Sequence, residues 1–356
     1  MIDIRNFVNV NIKPAEKTGL DGSRSEVLVY GTTNKVTIAS SSTDYSKFYD
    51  DNGSEITTLS ADEKTLATIF FKNGGVRLKF TGSTMPTSVN SFEDIDLLEN
   101  VIVVNEGSVT NYDDNDWEGL GVHQKIIIEK AMTSDAYKAL ENHKESRFEA
   151  ITIADTVKGK GVEMAIAAYL SSLDVYEENP DYDMTKIYGI EDDESKNITS
   201  VNKSLANIKY NFPMKKGNSY YMIGGNCTDG SSLVNNFAII VLSQNVSDRV
   251  FDVLSSKVSG QTGLSAIATV VADELNKYYT SGLLTSGKIW SDEDLVVSNK
   301  VKTSSKETVI TKGTSISNGY HIHVFSLSED RRSAYIYLIL ATSEGIRYVA
   351  IDGNTI

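Results

Sequence analysis

The sequence predicts an α/β fold, α+β overall, on three observations. Apolar and polar residues alternate near both ends of the chain, strand-like and helix-like segments alternate between residues 101 and 189, and two helical patterns follow each other between residues 247 and 282. Alternation with period two is typical of strands, and apolar residues at three- and four-residue steps are typical of helices. We therefore expect an α/β body, a C-terminal helix pair with a β-hairpin, and extended strand arms at both termini.

Length and composition indicate a packed protein of two or three units. The chain has 356 residues, of which 40% are hydrophobic and 23% charged, and domains usually contain about 100 to 200 residues. The formal charge of -14 disfavours direct nucleic-acid binding, which requires Lys and Arg to neutralise phosphates. One cysteine, Cys227, predicts a reducing compartment. We expect neither a secretion signal nor membrane insertion, because no apolar run has the required length.

The N-terminal strand is predicted from apolar residues of one parity. These residues are Ile2, Ile4, Val8, Val10 and Ile12. Pro14 ends the alternation, and a polar, glycine-containing segment follows up to residue 25. We interpret residues 1–22 as a strand arm with its linker.

Residues 23–225 are predicted to form an outer α/β body. Strands are expected at residues 26–30 and 35–39, joined by a short turn, and a helix is expected from Ser60, which has the capping-box spacing to Glu63. Gly74 and Gly75 end that helix. Further elements are expected at residues 76–80, 92–98, 101–104, 124–132, 134–143, 148–154, 161–173 and 185–189.

A C-terminal domain, residues 226–341, is predicted around the helix pair. An apolar block at residues 237–242 precedes a first helix that we expect to begin at Ser247 and to end at Gly260 and Gly263. The apolar stripe of the second helix contains Leu264, Ile267, Val271, Leu275 and Tyr278. Gly282 is its expected C-cap.

Two strong strands, residues 320–325 and 334–340, are predicted to pair as a hairpin around a polar turn. A last strand is expected at residues 346–351, within a C-terminal arm of residues 342–356. A terminal strand needs an edge to pair with, because unpaired backbone groups are costly when buried and adhesive when exposed.

The chemistry-bearing residues give no catalytic, cofactor or metal assignment. Acidic segments at residues 113–116, 177–183 and 191–194 are typical of solvated loops, although they leave open a divalent-metal site in an α/β enzyme or ligand-binding protein. His321 and His323 share one strand face, but no third metal ligand is evident beside them. Residues 157–161 favour a tight strand-to-helix turn over a phosphate site. An enzyme is therefore not expected.

The helix pair and the glycine-containing exit before Trp290 resemble sheath proteins of contractile phage tails, particularly the short sheath proteins of phages and phage-tail-like particles of Gram-positive bacteria. This resemblance implies arms that complete a small sheet on neighbouring subunits. The implied N-terminal arm residues are Val8, Val10 and Ile12, the C-terminal arm residues are Ile346, Tyr348 and Ala350, and the recipient hairpin residues are Ile322, Val324, Ile336 and Leu338.

The resemblance also implies that residues 226–341 form the tube-facing assembly domain, and it implies partners and a mechanical role. The partners are many copies of the chain in a helical lattice, the tail tube protein, and baseplate and tail terminator proteins. The implied candidates for tube contact are Arg249, Lys257 and Lys277. Such a sheath is assembled in the host bacterial cytoplasm and, without a cofactor, contracts from a metastable extended state to drive the tube through the host envelope. Another virion or surface-array assembly protein is the remaining alternative.

Overall fold

The computed structural model describes residues 8–11, 26–86, 101–107, 125–131, 149–153, 157, 161–175, 185–192, 210–228, 230–255, 260–298, 305–325, 333–342 and 345–354. The helices within these ranges are α1 (Ala61–Lys72), α2 (Val162–Ser172), α3 (Leu233–Ser255) and α4 (Gly260–Thr280). The strands are β1 (Val8–Asn11), β2 (Glu26–Tyr30), β3 (Lys35–Ile38), β4 (Ser40–Ser41), β5 (Phe48–Tyr49), β6 (Leu78–Thr81), β7 (Val101–Asn105), β8 (Lys125–Ala131), β9 (Glu149–Ile153), β10 (Lys186–Ile187), β11 (Phe212–Lys216), β12 (Ser219–Ile223), β13 (Lys288–Ile289), β14 (Leu295–Ser298), β15 (Lys306–Ile310), β16 (Ser315–Ile316), β17 (Tyr320–Val324), β18 (Ser333–Thr342) and β19 (Gly345–Asn354). The predicted mixed α/β, α+β class is confirmed.

The chain forms two compact units. The parallel-sheet unit comprises Asp21–Leu173 and Pro180–Phe237, and the terminal-sheet unit comprises Met1–Leu20, Asp174–Asn179 and Ala238–Ile356. Among the helices that the structure describes, none combines the length and the apolar character needed to cross a membrane.

The parallel-sheet unit is built on a six-stranded sheet with the order β3-β6-β2-β7-β8-β9. All its strands are parallel except β3, which runs antiparallel to β6. Consecutive strands β2 and β3 are not hydrogen-bonded to each other, because β6 lies between them. The central strands each contain a run of three or four consecutive apolar residues, as expected for a parallel sheet covered on both faces. Fully buried examples are Val27, Val29, Ile102, Val104 and Ile128.

Helix α1 begins with the predicted capping box. Ser60 Oγ accepts a hydrogen bond from the backbone N–H of Glu63 at 3.2 Å, and Glu63 Oε2 accepts one from the N–H of Ser60 at 2.8 Å. The other Glu63 oxygen, Oε1, accepts the N–H groups of Thr33 and Asn34 at 2.9 and 2.8 Å. This buried carboxylate therefore fixes both the start of α1 and the connection between β2 and β3.

Helix α2 begins at a glycine that no other residue could replace without strain. Gly161 has φ +109°, and a Cβ atom there would lie 2.1 Å from Cδ1 of Ile69 in α1. The close approach of α1 and α2 therefore depends on a missing side chain. Tight packing explains this glycine, in agreement with the predicted strand-to-helix turn; residues 158–160 of that segment lie outside the described part of the chain.

Helix α3 corrects one prediction. It begins at Leu233, well before Ser247, and the apolar block at residues 237–242 is part of it. Residues 237–242 are all buried, and a helix that is buried on every side shows no amphipathic period. The block could not be distinguished from a separate element by pattern alone.

Helix α4 has the predicted apolar stripe and the predicted end. The five stripe residues named above, from Leu264 to Tyr278, are all buried. Gly282 has φ +84°; its N–H donates to the carbonyl of Tyr279, and the N–H of Leu283 donates to the carbonyl of Tyr278. These two bonds form a Schellman motif, in which a left-handed residue after the helix satisfies its last carbonyl groups.

Several predictions concern residues outside the described ranges, namely the helices at residues 92–98 and 134–143 and the acidic segments at 113–116 and 177–183. Four small sheets among the described residues were not predicted. They have the orders β4-β5, β10-β12-β11, β13-β16 and β14-β15. In the remaining acidic segment, Asp192 forms an ion pair with Lys215 of β11.

Candidate functional site

Both ends of the described chain lie in one four-stranded antiparallel sheet, the terminal sheet, with the order β1-β19-β18-β17. Strand β19 pairs with β18 from Thr342↔Gly345 to Ser333↔Asn354, and β1 pairs with the distal half of β19. Only residues 343–344 separate the paired ends of β18 and β19. The predicted hairpin of β17 and β18 is confirmed, with Ile322 opposite Leu338 and Val324 opposite Ile336.

The register places the sequence-predicted residues in different rows of the terminal sheet. One row runs through Val324, Ile336, Ile351 and Val10. Of the C-terminal residues named above, Ala350 lies opposite Asn11 and Tyr337, while Tyr348 and Ile346 lie opposite Ile339 and Ala341. Val8 lies opposite Gly353. Ile12 lies outside the described ranges.

Strand β18 is the core of this sheet. Its residues from 338 to 341 are completely buried, and Ile336 is 1% exposed. A strand with no polar face has to be covered on both sides. Its backbone edges are also used, by β17 on one side and β19 on the other, so neither edge of β18 is left open.

Helix α4 contacts β17 through a polar bond. The hydroxyl of Tyr320 donates to Oδ1 of Asn276 at 2.9 Å, and burial raises the pKa of the Tyr320 phenol above its ordinary value. Past Gly282, the chain reaches β18 directly, because the N–H of Thr285 donates to the carbonyl of Ala341 at 2.8 Å. The glycine-containing exit therefore attaches the helix pair to the terminal sheet.

The two histidines of β17 each contact β15. Nε2 of His321 lies 3.0 Å from the carbonyl oxygen of Val309, and Nε2 of His323 lies 3.5 Å from Oε2 of Glu307. The neighbouring hydrophobic cluster contains Trp290, Val309, Ile310, Ile316, Phe325, Ile339 and Ala341. Within the described part of the chain, no three His, Cys, Asp or Glu side chains come together in a way that could hold a metal ion.

The helix pair carries a cation–carboxylate triad of Arg249, Glu274 and Lys277. The Glu274 side chain is 1% exposed, and its Oε2 lies 2.5 Å from Nζ of Lys277 and 4.0 Å from Nε of Arg249. Both cationic side chains are about two-fifths exposed. The triad therefore carries a formal charge of +1, and the exposed carboxylates Asp252 and Asp273 lie on the same two helices.

The structure thus brings two of the three tube-contact candidates together, while Lys257 lies outside the described residues. Sequence reasoning missed the carboxylate between them. Glu274 and Lys277 are three residues apart on one helix, a spacing that commonly forms ion pairs. That spacing was the signal available in the sequence. The contact between Glu274 and Arg249 of the other helix could be found only from the folded structure.

The elements described above define an α+β protein in which a helix pair supports a sheet completed by both chain termini. Two solved structures share this fold over almost their whole length. A sheath tail protein from Desulfitobacterium hafniense matches with a TM-score of 0.53 and 8% identity, covering 95% of this chain and 98% of its own. A sheath tail protein from Listeria innocua matches with a TM-score of 0.50 and 7% identity, covering 97% of each chain.

These comparisons confirm the resemblance to sheath proteins at the level of the fold. At such low identity, the alignment transfers no individual residue role. No family model matches the sequence, and no curated protein sequence matches it significantly.

Proposed function

We propose that this chain is a structural subunit of a contractile tail sheath, which polymerises as a helical cylinder around an inner tail tube. The observation that carries the proposal is the fold, which two sheath tail proteins share over nearly the full length of both chains. The position of β1 and β19 in one sheet supports it further, because strands at chain termini can be exchanged between copies.

Strand exchange between neighbours is the proposed link of the lattice. The pairings of β1 and β19 within one chain are the same pairings that copies would make with each other, so exchange conserves the main-chain hydrogen bonds. A head-to-tail exchange does not close within a pair, and it therefore generates rings or helical filaments.

The N-terminal strand is the easier of the two to donate. Residues 12–25 connect β1 to β2, and an extended chain spans about 3.5 Å per residue, which gives this connection a reach of roughly 50 Å. Donation of β19 has a stricter requirement, because only residues 343–344 connect it to β18. The paired ends at Thr342 and Gly345 have to separate before β19 can join another copy.

The triad of Arg249, Glu274 and Lys277 is the proposed contact with the tube. Each cation is partly exposed and already held in place by a buried carboxylate, so an acidic tube surface would meet side chains that lose little further freedom on binding. In this proposal the extended sheath is metastable, and its contraction drives the tube through the host envelope. Baseplate and tail terminator proteins cap the assembly, which forms in the host cytoplasm and remains in the virion tail.

Electron microscopy of the purified protein tests the proposal. We expect hollow cylinders after concentration, either alone or with the tube protein of the same particle. A protein that stays monomeric under both conditions, at concentrations where its folding is verified by calorimetry, contradicts a sheath function.

A further inference from the structure

A buried charged cluster lies at the carboxyl ends of β7 and β8, in the parallel-sheet unit. Nζ of Lys130 in β8 forms an ion pair with Oε2 of Glu106, which directly follows β7. Both side chains are 5% exposed. Glu163, in the first turn of α2, is 0% exposed and has Glu106 and Lys130 as charged neighbours.

Two carboxyl oxygens of this cluster lack a partner. Oε1 of Glu163 accepts the N–H of Gly161 at 2.8 Å, and Oε2 of Glu106 accepts Lys130. Among the described residues, Oε2 of Glu163 and Oε1 of Glu106 are buried side-chain oxygens with no hydrogen-bond partner. A buried oxygen without a partner destabilises the folded state, and two ionised carboxylates would repel each other as well.

A single proton would give both oxygens a hydrogen-bond partner and would also remove the repulsion between the two carboxylates. A protonated Glu163 Oε2 becomes a donor, and the ionised Glu106 Oε1 becomes its acceptor. We propose that Glu163 and Glu106 share one proton in this way, and that the pair attaches α2 to the carboxyl ends of β7 and β8 in a pH-dependent manner. The cluster then holds one proton, one carboxylate and the Lys130 ammonium, with no net charge. This inference is independent of the proposed function.

The surrounding charges agree with this assignment. Burial, together with the neighbouring Glu106 charge, raises the pKa of Glu163 well above its ordinary value. The negative charge of Asp62 in α1 interacts electrostatically with the Lys130 ammonium. Glu129 accepts a bond from Asn105 Nδ2 at 2.8 Å and, next to Lys130 in a strand, belongs to the opposite face of the sheet. The other charged or titratable residues on elements packed against α2 are Glu26 and Tyr30 of β2, Glu63, Lys64 and Lys72 of α1, Lys125 of β8 and Glu149 of β9.

The shared proton gives stability a definite pH dependence. The unfolded chain releases the Glu163 proton near pH 4 to 4.5, at about the ordinary pKa of glutamate, whereas the folded chain retains it to higher pH. Between these two pKa values the folded state binds one more proton than the unfolded state. The unfolding equilibrium constant therefore rises about tenfold per pH unit through this window, and stability is lost as the pH rises.

Glu163→Gln is the direct test, because the amide has the shape of the acid and donates a hydrogen bond at every pH. Urea unfolding of the full chain, followed by circular dichroism at one protein concentration from pH 5 to pH 8, gives the equilibrium constants. We expect the ratio of the wild-type constant to the Glu163→Gln constant to rise about tenfold per pH unit over part of this range. A ratio that stays constant with pH overturns the proposal.

A second measurement does not depend on the folding of that variant. Isotope-edited infrared spectra of the wild-type chain with labelled Glu at pH 7 are expected to contain the carbonyl band of a protonated carboxylic acid. In Glu106→Gln, Glu163 becomes the carboxylate that faces Lys130, so the band should disappear although Glu163 is still present. A wild-type spectrum without the band means that no proton is shared and contradicts the proposal.

Discussion

Val10 lies opposite Ile351 in the outermost pairing of the terminal sheet. Directly opposite residues of antiparallel strands have Cα atoms about 4.5–5.5 Å apart, which is within the range of about 4.4–6.8 Å that a disulfide requires. We expect Val10→Cys with Ile351→Cys, in a Cys227→Ser background, to form a disulfide under mild oxidation. If strands are exchanged, denaturing gels of the assembled protein show a ladder of covalently linked subunits.

The controls for this crosslink separate exchange from internal closure. Oxidation of the dilute monomer should give an internal disulfide with the mobility of a single chain. Either single cysteine variant should give no internal disulfide and no covalent product larger than a dimer. A concentrated, assembled sample that contains only internally linked single chains contradicts the exchange of β1 and β19.

Removal of the terminal strands should affect assembly more than folding. We expect a chain without residues 1–12, and a chain truncated after Gly345, to remain folded and to form no cylinders. Strand β1 is short and lies at the edge of the terminal sheet, so its deletion should change the midpoint of thermal unfolding little. Truncation after Gly345 uncovers one edge of β18, and a larger decrease is expected there. Loss of the unfolding transition in calorimetry argues against an arm in either case.

The triad on the helix pair permits a test of tube binding. Arg249→Gln with Lys277→Gln removes both cations that lie beside the buried Glu274 carboxylate, and we expect a loss of about 2–4 kcal/mol in the free energy of unfolding. The addition of Glu274→Gln should restore most of that loss, because no buried charge remains. The triple variant should then fold normally but bind the tube protein more weakly, with a reduced salt dependence. Unchanged tube binding by this variant assigns the contact to another surface.

Acid should weaken the attachment of α1 through Glu63. Burial alone would raise the pKa of Glu63, but hydrogen bonds from Asn34 and Ser60 hold it below the ordinary value. A lowered pKa in the folded state gives stability that is present above the ordinary glutamate pKa of about 4.3 and lost as the pH falls through the folded value. Glu63→Gln should therefore be less stable than wild type by about 1–3 kcal/mol at pH 7.

The pH dependence distinguishes this carboxylate from a group that only fills space. We expect the stability difference between wild type and Glu63→Gln to shrink as the pH falls below about 4, measured by urea unfolding. Glu55→Gln is a suitable control, because Glu55 forms an exposed ion pair with Lys47 and should contribute little at any pH. A difference for Glu63→Gln that is the same at pH 3 and pH 7 contradicts the electrostatic explanation.

Local signals in the sequence predicted those elements that depend on local physics. The Ser60 capping box, the α4 stripe and the Gly282 cap each involve residues within a few positions of one another, and all three are confirmed. The hairpin of β17 and β18 was predicted for the same reason. Strands β1 and β19 were also predicted, but the hydrophobic pattern of the sequence did not indicate which strands they pair with.

Contacts between distant residues could not be predicted in this way. Nothing near Glu106 in the sequence indicates that Lys130 and Glu163 converge on it, because the parallel order of β7 and β8 creates that neighbourhood. The insertion of β6 between β2 and β3 likewise follows from pairing over a long separation. Strands β13 and β16 contain only two residues each, which is too short for a recognisable period.

Tyr278 makes two contacts, one through its side-chain hydroxyl and one through its backbone carbonyl. Its hydroxyl accepts a hydrogen bond from Asn245 Nδ2 at 3.1 Å, between α3 and α4, and its carbonyl accepts the N–H of Leu283 in the turn that leads to β18. A sliding of one helix along the other would consequently pull on the backbone that borders β18. Mechanical strain applied at the helices would therefore reach the neighbourhood of β18 through Tyr278, in addition to reaching β17 through the bond between Tyr320 and Asn276.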